Sequence, residues 1–159
     1  MNTKLKTSLE TVLSDADLAK LRKGYVAQEM CDAARRAFAF HPPAMVFADL
    51  IVTEHYEKGF LSGKDRERCL IALLASEGTD FTLAVHLYWG LMEGLSPADI
   101  AATLLLVGTY QGFDCFAKSG KFMMRTLNAL KTLSEKVSGP VSPQLALTHL
   151  MENFGGAET

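Results

Sequence analysis

Residues 61–113 carry the signal that most restricts how this chain can fold, because helix starts and stops punctuate them at short intervals. Ser62, followed three residues later by Asp65, is one start: a serine side chain accepts from the free backbone N–H groups of a first turn. Gly78 and Gly94 are stops, since glycine takes the left-handed conformation that ends a helix without steric cost. Ser96-Pro97-Ala98-Asp99 is a second start, with proline in the first turn, where its missing N–H is no loss. Gln111-Gly112-Phe113 is the next break. Three helices joined by tight turns follow, over 62–77, from Thr79 or Asp80 to Gly94, and over 96–110.

The same punctuation extends outward. Ser14-Asp15-Ala16-Asp17 opens a helix expected over 15–39, which stops ahead of His41-Pro42-Pro43 because a residue before proline is pushed out of helical geometry. A helix over 44–56 then ends near Gly59. Beyond Gly112 a long helix is expected over 115–135, then a linker over 137–141, then a last helix opened by Ser142-Pro143 and ending near Phe154. Residues 1–13 read as a lead-in and 155–159 as a tail. No stretch alternates apolar and polar residues for long enough to form a strand. The expectation is an all-α fold of six to seven helices in a single domain over residues 1–159.

Composition narrows the function classes. A 48% apolar and 21% charged chain can bury a core. Its net charge of −2, with Lys and Arg scattered, gives no basic footprint for nucleic acid. No apolar run reaches the ~18 residues of a membrane span. The N-terminal segment lacks the apolar core of a secretory signal, and Cys31, Cys69 and Cys115 are too scattered for a disulfide scaffold. A reduced, cytoplasmic protein is expected. The helix containing residues 100–110 is apolar nearly all round, which in one small domain calls for a partner subunit. A homo-oligomer is therefore expected.

One polar set stands out. Thr79, Thr82 and His86 are spaced by three and four residues and fall on one helical stripe, continued by Trp89, Gly90 and Glu93. Glu67, on the preceding helix, reaches this stripe if the two helices pack antiparallel. A carboxylate beside an imidazole fixes its tautomer and makes an acid–base pair. Each residue also has a purely structural reading. His86 suits a hydrogen-bonded core position, Glu67 a solvated site between Arg66 and Arg68, Thr79 an N-cap and Thr82 a small packing position. Tyr110 either lines a pocket or packs, and Trp89 roofs a ligand or fills a subunit interface, the interface being favoured. His41, His55, His86 and His149 show no metal-ligand spacing, so no metal is expected.

Glu67-x11-Thr79-x2-Thr82-x3-His86 has the spacing of the motif Glu-x11-Cys-x2-Cys-x3-His, and resembles the alkylhydroperoxidase D-like proteins of the carboxymuconolactone decarboxylase superfamily. Leu61-Ser62, Asp65-Arg66-Glu67, the run from Glu93-Gly94-Leu95 to Asp99-Ile100, and Tyr110-Gln111-Gly112-Phe113 are similar to that family too, over about residues 61–130. The resemblance implies the alkylhydroperoxidase D-like helical fold and a trimer or a pair of trimers with sites near subunit boundaries. Both motif cysteines are threonines here. A hydroxyl neither ionises near neutral pH nor forms a disulfide, so the thiol peroxidase chemistry of the motif is closed at these positions.

The decarboxylase branch implies another chemistry, a cofactor-independent lyase or isomerase acting on a small carboxylated or carbonyl substrate. Electrons released by loss of a carboxylate delocalise into the substrate's own carbonyl. In that reading His86 transfers the proton, Glu67 orients it, and Thr79, Thr82, Trp89 and Tyr110 contact the substrate. An antioxidant hydroperoxidase using displaced cysteines and a non-catalytic ligand-binding oligomer are the alternatives.

Overall fold

A computed structural model describes residues 12–37 and 41–154. The expected lead-in through residue 11, the end of the first helix at 38–40 and the tail at 155–159 lie outside the described residues. Within them the chain is helical throughout and has no strand. The elements are α1 (Asp15–Gly24), α2 (Ala27–Ala37), α3 (Pro42–Ile51) running into a π-helical segment (Val52–Glu57), α4 (Gly63–Glu77), α5 (Phe81–Met92), α6 (Pro97–Gln111), α7 (Phe113–Lys136) and α8 (Pro143–Phe154). These are eight α-helices among the described residues, against the six to seven expected.

The extra helix comes from a break in the span expected as 15–39. Tyr25 leaves helical geometry at φ −75°, ψ 128°. Two long-range contacts hold the break. The backbone of Val141 presses on Gly24, where an added Cβ would stand 2.2 Å from the Val141 carbonyl oxygen. The Tyr25 hydroxyl reaches Glu93, 68 residues away, at 2.9 Å.

The capping signals act as their chemistry dictates. Ser14 and Ser96 each form a complete capping box with Asp17 and Asp99. Ser62 accepts from the Asp65 N–H. Gly78 closes α4 in the left-handed conformation at φ 73°.

The helix enclosed most fully is α5, not α6. Eight consecutive or near-consecutive α5 residues, Leu83, Ala84 and Leu87 through Met92, are buried. Around it pack Ile71 and Ala75 of α4, Ile100 and Leu104 of α6, Leu127 and Leu130 of α7, and Ala146 and Leu150 of α8. Arg22 ties α1 to the end of α5 by donating to the Leu91 and Leu95 carbonyls at 3.0 and 3.2 Å. Within the single chain α6 is covered on one side only: Leu105, Leu106 and Tyr110 point outward. Among the described residues no helix is long and apolar enough to cross a membrane.

Candidate functional site

The site grows from the crossing of α4 and α5. Their crossing is close because Gly90 has no side chain: a Cβ there would stand 2.9 Å from Leu95 Cδ1, 3.2 Å from Ile71 Cδ1 and 3.5 Å from Glu67 Cβ. The space left by Gly90 is thus taken by helix packing. Glu67 is fully buried at this crossing. A buried carboxylate needs cationic or N–H partners to remain charged, and Glu67 has two. Arg66 Nε donates to Oε1 at 3.1 Å, and His86 Nδ1 stands 2.9 Å from Oε2. With Nδ1–H donating to the carboxylate, His86 keeps Nε2 free for chemistry. Its side chain retains 14% exposure, and Nε2 makes no hydrogen bond among the described residues.

Aromatic rings hold this pair in place. Trp89 stacks on His86 with centroids 5.9 Å apart and planes at 13°, and on Tyr56 at 4.3 Å and 23°. Tyr56 comes from the π-helical segment, a geometry that often marks functional sites. The Arg66 guanidinium lies over the Tyr56 ring, 4.1 Å from its centroid. Burial first, and then the Glu67 charge, push the Tyr56 phenol well above its ordinary range, so it stays protonated. The same holds for Tyr25, where burial is joined by the charge of Glu93.

Beyond Arg66 opens a cavity of about 300 Å³, whose walls include Tyr25, Cys31, Tyr56, Arg66, Trp89 and Glu93. Neither Glu67 nor His86 lines it. Gly63 forms part of its wall, and a Cβ there would stand 2.0 Å from Glu93 Oε2.

The sequence-derived candidates divide accordingly. Glu67 and His86 meet, and Trp89 touches the pair. Trp89 is buried inside its own chain, so it does not fill the subunit interface favoured from sequence. Thr79 precedes α5 instead of continuing its stripe, and its hydroxyl sits 3.4 Å from the Leu74 carbonyl. Thr82 is exposed one turn before His86. Tyr110 lies at the far end of α6, 81% exposed, and lines no part of the cavity. Three participants escaped the sequence reading: Arg66, Tyr56 and Tyr25. Arg66 adjoins Glu67 and was legible as its neighbour, but nothing local to Tyr25 points to Glu93. Among the described residues no three His, Cys, Asp or Glu side chains converge as a metal site would require.

Taken together these features define an all-α protein that buries a carboxylate–imidazole pair at a helix crossing and leaves one imidazole nitrogen free. Residues 45–119 match the model of the carboxymuconolactone decarboxylase family, in keeping with the resemblance read from the sequence. The match starts at α3, ahead of the similarity read from 61 onward, and stops inside α7. The chain matches none of the curated proteins and none of the solved structures.

Proposed function

We propose that this protein is a carboxymuconolactone decarboxylase-like lyase or isomerase that needs no cofactor and acts on a small carboxylated or carbonyl compound. The observation that carries this reading is the 2.9 Å contact between His86 Nδ1 and the fully buried Glu67, with Nε2 left free. Glu67 fixes the tautomer and stabilises the imidazolium, so Nε2 can take up and return a proton. In a decarboxylation the C–C bond to the carboxylate breaks, and its electron pair moves into the conjugated carbonyl as an enolate. The Nε2 proton of His86 then goes to carbon. Thr82, exposed one turn away, is the group placed to hydrogen-bond the substrate; Tyr110 needs a second subunit to take part.

Such a subunit belongs to the proposal. The protein acts as a homotrimer or a pair of trimers, supported by the outward apolar face of α6. Three free thiols suit a reducing compartment such as the cytoplasm. They do not support a displaced-cysteine peroxidase. Cys31 is buried and burial raises its thiol pKa, Cys69 lies exposed on α4, and Cys115 sits 3.4 Å from the Ala75 carbonyl.

The test is turnover of carboxylated lactones and β-keto acids by the wild type and by His86→Ala. Loss of a positioned acid–base group lowers kcat by about 10²–10⁴-fold. Equal rates in the two proteins would remove His86 from the mechanism. Absence of turnover in the wild type would favour a ligand-binding oligomer that kept the scaffold.

A further inference from the structure

We propose that Arg66 is a positioning residue for the Glu67–His86 pair, gripping the imidazole at its edge through Glu67 and on its face through Tyr56 and Trp89. This role rests on the acid–base reading above and adds to it a residue that acts through others. What carries it is a closed ring of contacts. Arg66 Nε donates to Glu67 Oε1 at 3.1 Å, and Glu67 Oε2 stands 2.9 Å from His86 Nδ1. In the other direction the Arg66 guanidinium lies 4.1 Å from the Tyr56 ring centroid. Tyr56 stacks on Trp89 at 4.3 Å, and Trp89 stacks on His86 at 5.9 Å. The ring draws on the π-helical segment, α4 and α5, and Arg66 is where its two branches meet.

The edge branch works through geometry and charge together. With Oε1 taken by the guanidinium, Oε2 is the oxygen left to His86. The carboxylate cannot turn about its last bond without breaking one contact or the other. The guanidinium charge also favours the ionised form of the buried Glu67 and opposes a second proton on the imidazole it holds. The Arg66 side chain is only 12% exposed, so little water weakens that charge. The face branch works through shape: a flat guanidinium stacks on an aromatic ring better than an ammonium does, and so keeps Tyr56 against Trp89.

Glu93 bears on the same guanidinium. Its Oε1 stands 3.7 Å from Arg66 Nη2 and accepts from the Tyr25 hydroxyl at 2.9 Å. Glu93 therefore offsets part of the charge that Arg66 directs at the pair. The Tyr56 phenol stays protonated and Trp89 is uncharged, so the charges acting on His86 through this ring are those of Glu67, Arg66 and Glu93. Removing Arg66 and removing Glu93 must then move His86 in opposite directions.

Imidazole nitrogen NMR of the full-length chain follows His86 directly, with His86→Gln identifying its signals among the four histidines. It needs no substrate, so it reads the ring of contacts whether or not the protein turns over carboxylated compounds. In Arg66→Met the pH at which His86 takes its second proton should rise by about one unit or more. The near-ultraviolet circular dichroism of Trp89, the one tryptophan of the chain, should weaken in the same variant as Tyr56 loses its cover. Arg66→Lys keeps the charge, so its His86 should titrate close to the wild type. Glu93→Gln should shift the His86 titration downward. An unmoved His86 titration or an unmoved Trp89 signal in a folded Arg66→Met protein would overturn the proposal, as would Arg66→Lys moving His86 as far as Arg66→Met. Should Arg66→Met not fold, a Glu93→Gln protein whose His86 does not shift downward would overturn it instead. A protein that meets these expectations yet turns over none of the substrates named above would sink the lyase reading and uphold the role of Arg66.

Discussion

At the scale of single residues the molecule turns on Glu67, a fully buried carboxylate that touches both a guanidinium and an imidazole. Replacing a buried ion pair wholesale can be neutral, but deleting one member strands the others without compensation. Glu67→Ala would leave Arg66 and His86 facing a cavity, and should cost about 3–5 kcal/mol of unfolding free energy in urea titrations. Glu67→Gln keeps the volume and an acceptor oxygen, so it should cost distinctly less. Equal losses in the two variants would mean that charge, not volume, decides stability at this position. The two threonines teach a different lesson at the same scale. Their spacing to His86 was readable, but their placement was not, because helix α5 begins after Thr79 and turns Thr82 outward. Spacing names the motif; only packing decides which of its members face one another.

Among the elements, α4 and α5 show how a glycine can set a site. Adding a methyl group at Gly90 would drive it within 2.9 Å of Leu95 and 3.2 Å of Ile71. Gly90→Ala gains about 1 kcal/mol of helix propensity but incurs overpacking of about 1–3 kcal/mol. The expected result is a net loss of stability by urea unfolding as Leu95 and Ile71 give way, while Glu67, whose Cβ would stand at an ordinary contact distance of 3.5 Å, keeps its place beside His86. Gly120 in α7 is the control: nothing lies within 4 Å of a Cβ there, so Gly120→Ala should stabilise by up to about 1 kcal/mol. A pH effect belongs to α6. Backbone and side-chain hydrogen bonds from Ser96 hold the Asp99 carboxyl below its ordinary value. A folded-state pKa below the unfolded one gives stability that is present above the unfolded value, near 4, and is lost as pH falls through the folded value. Asp99→Asn should therefore lower Tm at neutral pH and flatten its decline below about pH 4, as measured in a pH series of thermal melts. These caps also explain why most of the fold was legible: Ser14, Ser62 and Ser96 announce helix starts through local bonds alone. The break at Tyr25 was not, since Val141 and Glu93 enforce it from far along the chain. The π-helical turn before Lys58 likewise left no pattern in the residues 52–57 that form it.

On the scale of the whole molecule, the apolar character of α6 has to be reconciled with its position. Sequence alone suggested a helix enclosed on every side, yet in the single chain that role falls to α5. Leu105, Leu106 and Tyr110 on α6, with Phe113 at the start of α7, are exposed by 57, 60, 81 and 76%. The face of α3 adds Val46, Phe47 and Leu50. Monomers seldom leave so many large apolar side chains in water, because each one buried is worth about 1.5–3 kcal/mol. The homo-oligomer proposed above is one arrangement that would cover these side chains. Leu106→Glu places a charge on this face at a side chain that is already 60% exposed. Sedimentation velocity should find the wild type at a multiple of 17.4 kDa and Leu106→Glu shifted toward a single chain, with helical content preserved. A wild type that sediments as one chain, or a variant that keeps the full assembly, would mean that this face is not what joins the subunits. If turnover falls along with the mass, the Glu67–His86 pair depends on the neighbour for a complete site; if turnover persists in the dissociated variant, the single chain carries the chemistry by itself.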